Sequence, residues 1–162
     1  MSKRFMPGFT LIEMLIVVVV IGIASGLVIV NLGGDDRRTA EREAVRLASA
    51  LEHAAALAQW RSATLGFSAE GSRYRFWRRG ADDRWQALVD DDVLVPRALP
   101  AEITVTPVSY ASAAVPPDTV LPFRASGRNE PFALLLASPA WSVMIAGDPL
   151  NRVEIAASAA SR

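Results

Sequence analysis

The chain has no cysteine and a single histidine, His53. The first absence excludes disulfide scaffolds, thiolate zinc sites and cysteine nucleophiles. It leaves the redox compartment open, because exported proteins need not carry disulfides. The second argues against a histidine-rich metal site. No charge sign dominates either: 17 Lys and Arg balance 17 Asp and Glu. No global basic field is therefore available to recruit nucleic acid or anionic lipid. Glycine-rich phosphate loops and a nucleophile–histidine–acid constellation are also missing, so no enzyme activity, catalytic residue, metal or cofactor is expected. The 162 residues suit one compact domain plus a tail, and the part from Asp35 onward is long enough to bury a core.

What is present is concentrated at the N-terminus. Pro7-Gly8-Phe9-Thr10-Leu11-Ile12-Glu13-Met14 leads into a run that stays apolar to Leu32. Phe9 to Leu32 is about 24 residues, or roughly 36 Å as a helix, longer than a ~30 Å hydrocarbon core. Lys3 and Arg4 precede it, so the N-terminus is expected to stay cytoplasmic while the bulk crosses. Glu13 is the odd residue. A carboxylate costs roughly 2.5–3.5 kcal/mol at mid-membrane and less near an end.

Three readings compete. A plain single-span anchor leaves Glu13 without a purpose. A secretory signal peptide requires a short apolar centre ending in a small-residue cut site. Ala24-Ser25-Gly26 imitates one, but Leu27-Val28-Ile29-Val30 continues the apolar run beyond it. The third reading uses every unusual residue. Cutting after Gly8 removes a basic leader, exposes a new amine on Phe9 and leaves the apolar run on the mature chain. Glu13 then lies about one helical turn from that amine.

Gly8-Phe9-Thr10-Leu11-Ile12-Glu13 resembles the processing motif of type IV pilin-like proteins. The resemblance implies that a prepilin peptidase cuts after Gly8 and methylates Phe9. It also implies that Glu13 aligns each subunit with its neighbour's amine during filament assembly. The physics fits. An unpaired ammonium and an unpaired carboxylate are each expensive in a low-dielectric filament core, and pairing them offsets part of both penalties while fixing axial register. Gly22 and Gly26 form a small-xxx-small pair that permits close helix approach, or reflect composition alone.

Past Leu32, Gly33-Gly34-Asp35-Asp36 interrupts the apolar run, as a joint or as the point where the helix leaves the membrane. Ala44, Leu47, Leu51, Ala54 and Ala58 then recur at spacings of three and four, which predicts an amphipathic helix from about Thr39 to Trp60. His53 lies beside this stripe and reads as a boundary side chain. After Trp60 the period shortens to two. Short antiparallel strands are expected around Leu65–Phe67, Arg73–Phe76, Trp85–Val89, Ile103–Val105 and from Leu121. Phe132–Leu136 reads as a strand buried on both faces. Further strands are expected around Trp141–Ile145 and Val153–Ile155, with a frayed tail from Ala156. Pro107 to Pro117, with three prolines and little periodicity, reads as a long mobile loop.

The chain thus divides into a leader (1–8), a transmembrane or filament-core helix (9–32), an amphipathic helix (33–62) and a periplasmic β-rich domain (63–162). The fold class expected is α+β, and the order of a long N-terminal helix packed on an antiparallel β-rich domain resembles type IV pilin-like subunits. More narrowly, Arg73-Tyr74-Arg75-Phe76, the Trp85 strand, Asp91-Asp92 before Leu94, Pro96-Arg97, and Phe123 through Ser126-Gly127 to Pro131-Phe132 resemble H-type minor pseudopilins of type II secretion systems and the related FimT-like minor pilins.

That resemblance implies a structural subunit at or near the tip of the periplasmic pseudopilus, held in the inner membrane by one span. The partners implied are other minor pseudopilins, the major pseudopilin, the prepilin peptidase, the inner-membrane assembly platform and membrane lipid. The alternative is a minor pilin of a type IV pilus, serving adhesion, motility or DNA uptake.

Two clusters invite other chemistry. Asp90, Asp91 and Asp92 offer calcium ligands, but adjacent acids lack the spacing of a dedicated loop, and a solvated turn is favoured. Arg73, Arg75, Arg78, Arg79 and Arg84 interleave with Tyr74, Phe76, Trp77 and Trp85, a composition that binds single strands elsewhere. Strict alternation explains them as a strand pair with Tyr74 and Phe76 inward, and nucleic acid is not expected as a partner.

Overall fold

The computed structural model describes residues 11–139 and 141–157, and the side chains within them other than those of residues 13, 22–36 and 157. Among the described residues one helix, α1 (Leu11–Trp60), precedes ten strands. Its backbone is helical through Gly33 to Asp36. By contacts the chain separates into two compact units, Met1–Asp36 and Arg37–Arg162.

In the second unit, the helix buries Ala40, Ala44, Leu47, Leu51, Ala54 and Ala58 along one stripe. These include every position that the three-and-four spacing selects. Ala48, Ala50, Ala55 and Leu57 widen the stripe. Seven of the ten are alanines, which favour the helix intrinsically and hold little bulk above the backbone. The strands can therefore approach the helix closely, and their large side chains fill the space between.

Two antiparallel sheets supply those side chains. The first runs β3-β2-β1-β7 and comprises β1 (Leu65–Glu70), β2 (Arg73–Arg79), β3 (Trp85–Ala87) and β7 (Leu121–Phe123); the short β4 (Arg97–Ala98) also pairs with β2. On β2 the expected alternation holds: Tyr74 and Phe76 are buried, while Arg73 and Arg75 are exposed. Phe67, Tyr74 and Phe76 form one aromatic cluster, with ring centroids 5.5–6.1 Å apart. The second sheet runs β10-β9-β8-β5-β6. It comprises β5 (Thr104–Tyr110), β6 (Ala113–Ala114), β8 (Phe132–Ser138), β9 (Trp141–Gly147) and β10 (Val153–Ala157).

Three expectations need correcting. The segment from Pro107 to Pro117 is not a long loop. Its first part continues β5 to Tyr110, and a hairpin returns through β6. Ala111 and Ser112 occupy positive φ (52° and 63°), the conformation a two-residue hairpin turn needs. The usual Asn-Gly or Asp-Gly signal is absent there. Pro107 sits where the register of β5 against β8 shifts, so its missing N–H falls at an irregularity that proline tolerates.

Phe132–Leu136 is not buried on both faces. Phe132, Leu134 and Leu136 are buried, whereas Ala133 and Leu135 are half-buried, because this antiparallel sheet packs its core on one side. Finally, β10 extends past Ala156 to Ala157, held by pairing with β9.

Asn129 is buried, and both ends of its side-chain amide are hydrogen-bonded. Its Oδ1 accepts from the Arg124 amide and its Nδ2 donates to Asn151 Oδ1. Asn151 in turn donates to the Gly127 carbonyl. This network ties the turn before β8 to the turn before β10.

Candidate functional site

In the first unit, the described side chains of the helix show no polar face. Every described side chain of Leu11–Ile21 is apolar and exposed, from 42 % at Val17 to 86 % at Leu11. An amphipathic helix needs one covered face; this one needs cover all round. Each such side chain gains ~1.5–3 kcal/mol when removed from water. Among the described residues no helix is long and apolar enough to cross a membrane, and beyond Ile21 the side chains of the run lie outside the described residues. Gly8 and Phe9 also lie outside them, as do the surroundings of Gly22 and Gly26 and the side chain of Glu13.

The second unit shows how the globular domain is fastened to its helix. Arg97 on β4 donates from Nε and Nη2 to the two oxygens of Glu43 on α1, at 2.9 and 2.6 Å. The pair is bidentate, and the Glu43 side chain is only 12 % exposed. Hydrogen bonding to Glu43 holds the Arg97 guanidinium even more firmly protonated than usual.

Nearly three helical turns further on, His53 Nε2 lies 3.2 Å from Asp91 Oδ2. Asp91 Oδ1 accepts from the Val93 and Leu94 amides, both at 3.0 Å. Burial pushes the Asp91 carboxyl up, but hydrogen bonds from His53 and from the Leu94 and Val93 amides outweigh it and hold the group below its ordinary range. Asp90 receives Arg61 at 2.8 Å and Arg78 at 3.8 Å. On the opposite side, Glu52 accepts from the amide of Val153 on β10.

The acidic run is thus more than a solvated turn. Asp90 is spent on Arg61, just past the helix, and on Arg78 of β2, and Asp91 on His53 of the helix and on its own loop. No group of three or more His, Cys, Asp and Glu side chains among the described residues is placed to hold a metal. The sequence pattern did not reveal the His53–Asp91 and Glu43–Arg97 contacts. Each joins residues tens of positions apart, and only the turn chemistry of Asp91 was local enough to be read.

The arginine–aromatic cluster resolves into an outer sheet surface. The Arg75 guanidinium lies 5.4 Å from the centroid of the Trp77 ring and that of Arg79 5.5 Å from Trp85. Arg79 pairs with Asp83, and Arg84 reaches Asp82 at 3.8 Å. Trp77 Nε1 donates to Ser68 Oγ on β1 at 2.8 Å. These contacts account for much of the cluster within the sheet itself.

Comparison with known proteins gives this arrangement a family. The prokaryotic N-terminal methylation motif matches residues 7–29. Type II secretion system protein H of Aeromonas hydrophila is 31 % identical over 102 residues, covering 62 % of this chain and 56 % of that protein. Type II secretion system core protein G of the same organism is 32 % identical over 96 residues, covering 59 % and 58 %. The chain therefore spans a little over half the length of the curated relatives it matches. The crystal structure of the minor pseudopilin EpsH from the type II secretion system of Vibrio cholerae superposes with a TM-score of 0.61 at 18 % identity, covering 77 % of this chain and 98 % of that one. The likeness establishes an α+β pilin-like fold. The family model for the type II transport protein GspH matches residues 43–151, more than half of the chain, and this protein belongs to the GspH family.

Proposed function

We propose that the chain is a minor pseudopilin, a structural subunit at or near the tip of the periplasmic pseudopilus that drives type II protein secretion. The observation that carries this reading is the order of its parts. An N-terminal methylation motif over residues 7–29 stands directly before a GspH-family domain over residues 43–151. The exposed apolar side chains of Leu11, Ile12 and Met14–Ile21 support it, because lipid or a helical filament core covers such side chains.

In this reading residues 1–8 are a leader and residues 9–32 cross the inner membrane, with the domain in the periplasm. The prepilin peptidase cuts after Gly8 and methylates Phe9. Glu13 then receives the amine of a neighbouring subunit as the chain leaves the membrane for the filament. The neighbours are other minor pseudopilins and the major pseudopilin, delivered by the inner-membrane assembly platform. The work done is assembly and force transmission, with no turnover.

Intact-mass analysis of the chain from membranes of cells with an active prepilin peptidase tests the first step. Loss of residues 1–8 and gain of one methyl group is expected; an intact leader overturns the reading. Deleting the gene separates the two pilin-like roles. Loss of enzyme secretion supports the secretion subunit, and loss of pili or of transformation supports the type IV pilus subunit instead.

A further inference from the structure

A groove of about 430 Å³ runs between α1 and the segment joining β3 to β4. Arg46 on the helix and Asp92 on the facing segment both line it. Neither makes an ion pair among the described residues, although the nearby Arg97 is matched to Glu43. The two unpaired charges also stand more than 4 Å apart, so they do not satisfy each other. Val93 and Val95 form an aliphatic edge and remain 55 % and 51 % exposed. Leu94 between them is fully buried, so the two valines share the outer side of the segment.

Tyr74 lines the groove as well. Burial pushes its hydroxyl pKa up, with Arg97 acting against that, so the phenol stays a neutral donor at physiological pH. Arg97 spends Nε and Nη2 on Glu43 and keeps Nη1 as a further donor.

The geometry points to a docking site for an extended protein segment that carries a carboxylate beside an aliphatic side chain. The carboxylate meets Arg46, the aliphatic group lies on Val93 and Val95, and a backbone N–H of the segment donates to Asp92. Charge complementarity chooses this occupant. Inorganic phosphate would meet Arg46 equally well but has no N–H to offer Asp92. A purely apolar segment would leave both charges desolvated and unpaired. The site lies wholly within the globular unit and stands apart from the N-terminal motif, so its test does not depend on leader removal.

The test uses the full chain in non-ionic detergent micelles with valine and leucine methyl groups labelled for NMR. The probe is the peptide acetyl-Leu-Glu-Val-amide, compared with its glutamine counterpart and with inorganic phosphate. Saturable shifts at the Val93 and Val95 methyls are expected, with the core methyls of Leu51 unmoved. Affinity is expected to fall about fivefold for the glutamine peptide, and similarly for Arg46→Gln with the original peptide, the scale of a partly exposed ion pair. Val95→Ser is expected to weaken binding without changing the preference for glutamate over glutamine. No shift at these valines, equal binding of the two peptides, or equivalent saturation by phosphate would each overturn the assignment.

Discussion

The bidentate contact between Glu43 and Arg97 is the strongest polar tie between the helix and the strands, and its removal has a magnitude that follows from its surroundings. Two charge-assisted hydrogen bonds of 2.9 and 2.6 Å are involved. A fully exposed pair contributes about 0.2–1 kcal/mol, and breaking a fully buried one costs about 3–5 kcal/mol. With side chains 32 % and 12 % exposed, this pair falls between those limits. Arg97→Met is expected to destabilise the domain by about 2 kcal/mol, since it leaves the nearly enclosed Glu43 carboxylate without its partner. In a domain of this size that corresponds to a fall of roughly 8 °C in Tm. Glu43→Gln keeps shape and volume and is expected to cost about the same. The double variant is then expected to be only slightly worse than either, giving a coupling of at least about 1 kcal/mol in a double-mutant cycle. Near-ultraviolet circular dichroism of the tryptophans follows the unfolding. Strictly additive effects, or a loss under about 0.3 kcal/mol for Arg97→Met, would refute the claim that this contact fastens β4 to the helix.

Other consequences follow from single contacts. Gly147→Ala is expected to lower stability by about 1–3 kcal/mol in the same assay, because a Cβ there would overlap the Phe132 ring, which packs edge-on against Phe123; an unchanged Tm would mean that ring can move aside. Asp91 has a depressed folded-state pKa, so its contribution is complete at neutral pH and disappears as pH falls below the ordinary value of 3.8 through the folded one. Asp91→Asn is therefore expected to lose stability relative to wild type at pH 7, with the two curves converging in that acid range; a gap independent of pH would contradict this. Glu13→Ala is expected to leave the Tm of the domain unchanged while reducing recovery in sheared filaments by at least about tenfold, because stranding a buried ammonium costs ~3–5 kcal/mol. Equal recovery of mutant and wild type would remove Glu13 from the assembly step.

Much of this architecture was legible from periodicity. The three-and-four spacing of Ala44, Leu47, Leu51, Ala54 and Ala58 selects buried positions, and the alternation in Arg73–Phe76 assigns the two faces of β2. Both signals are local and repeat within a single element. The β5–β6 hairpin escaped notice because Ala111 and Ser112 adopt its turn without the residues that usually announce one, and because Pro107 hides at a register shift. The double burial expected of Phe132–Leu136 failed for a different reason. Composition reports how apolar a strand is but not how many layers cover it. Glu43–Arg97 and His53–Asp91 were invisible, since pairing across more than thirty residues exists only once helix and strands have met. Gly8, Phe9 and Glu13 are the reverse case: the roles proposed for them rest on a short contiguous motif and on no tertiary contact.

The central claim is that Glu13 pairs with the freed amine of an adjacent subunit inside the filament. A high-resolution reconstruction of purified pseudopili tests it directly through the distance from the Glu13 carboxylate to the nearest methylated N-terminus. The account predicts ion-pair contact, within about 4 Å. A carboxylate turned to solvent, with no cationic chain end beside it, would contradict it.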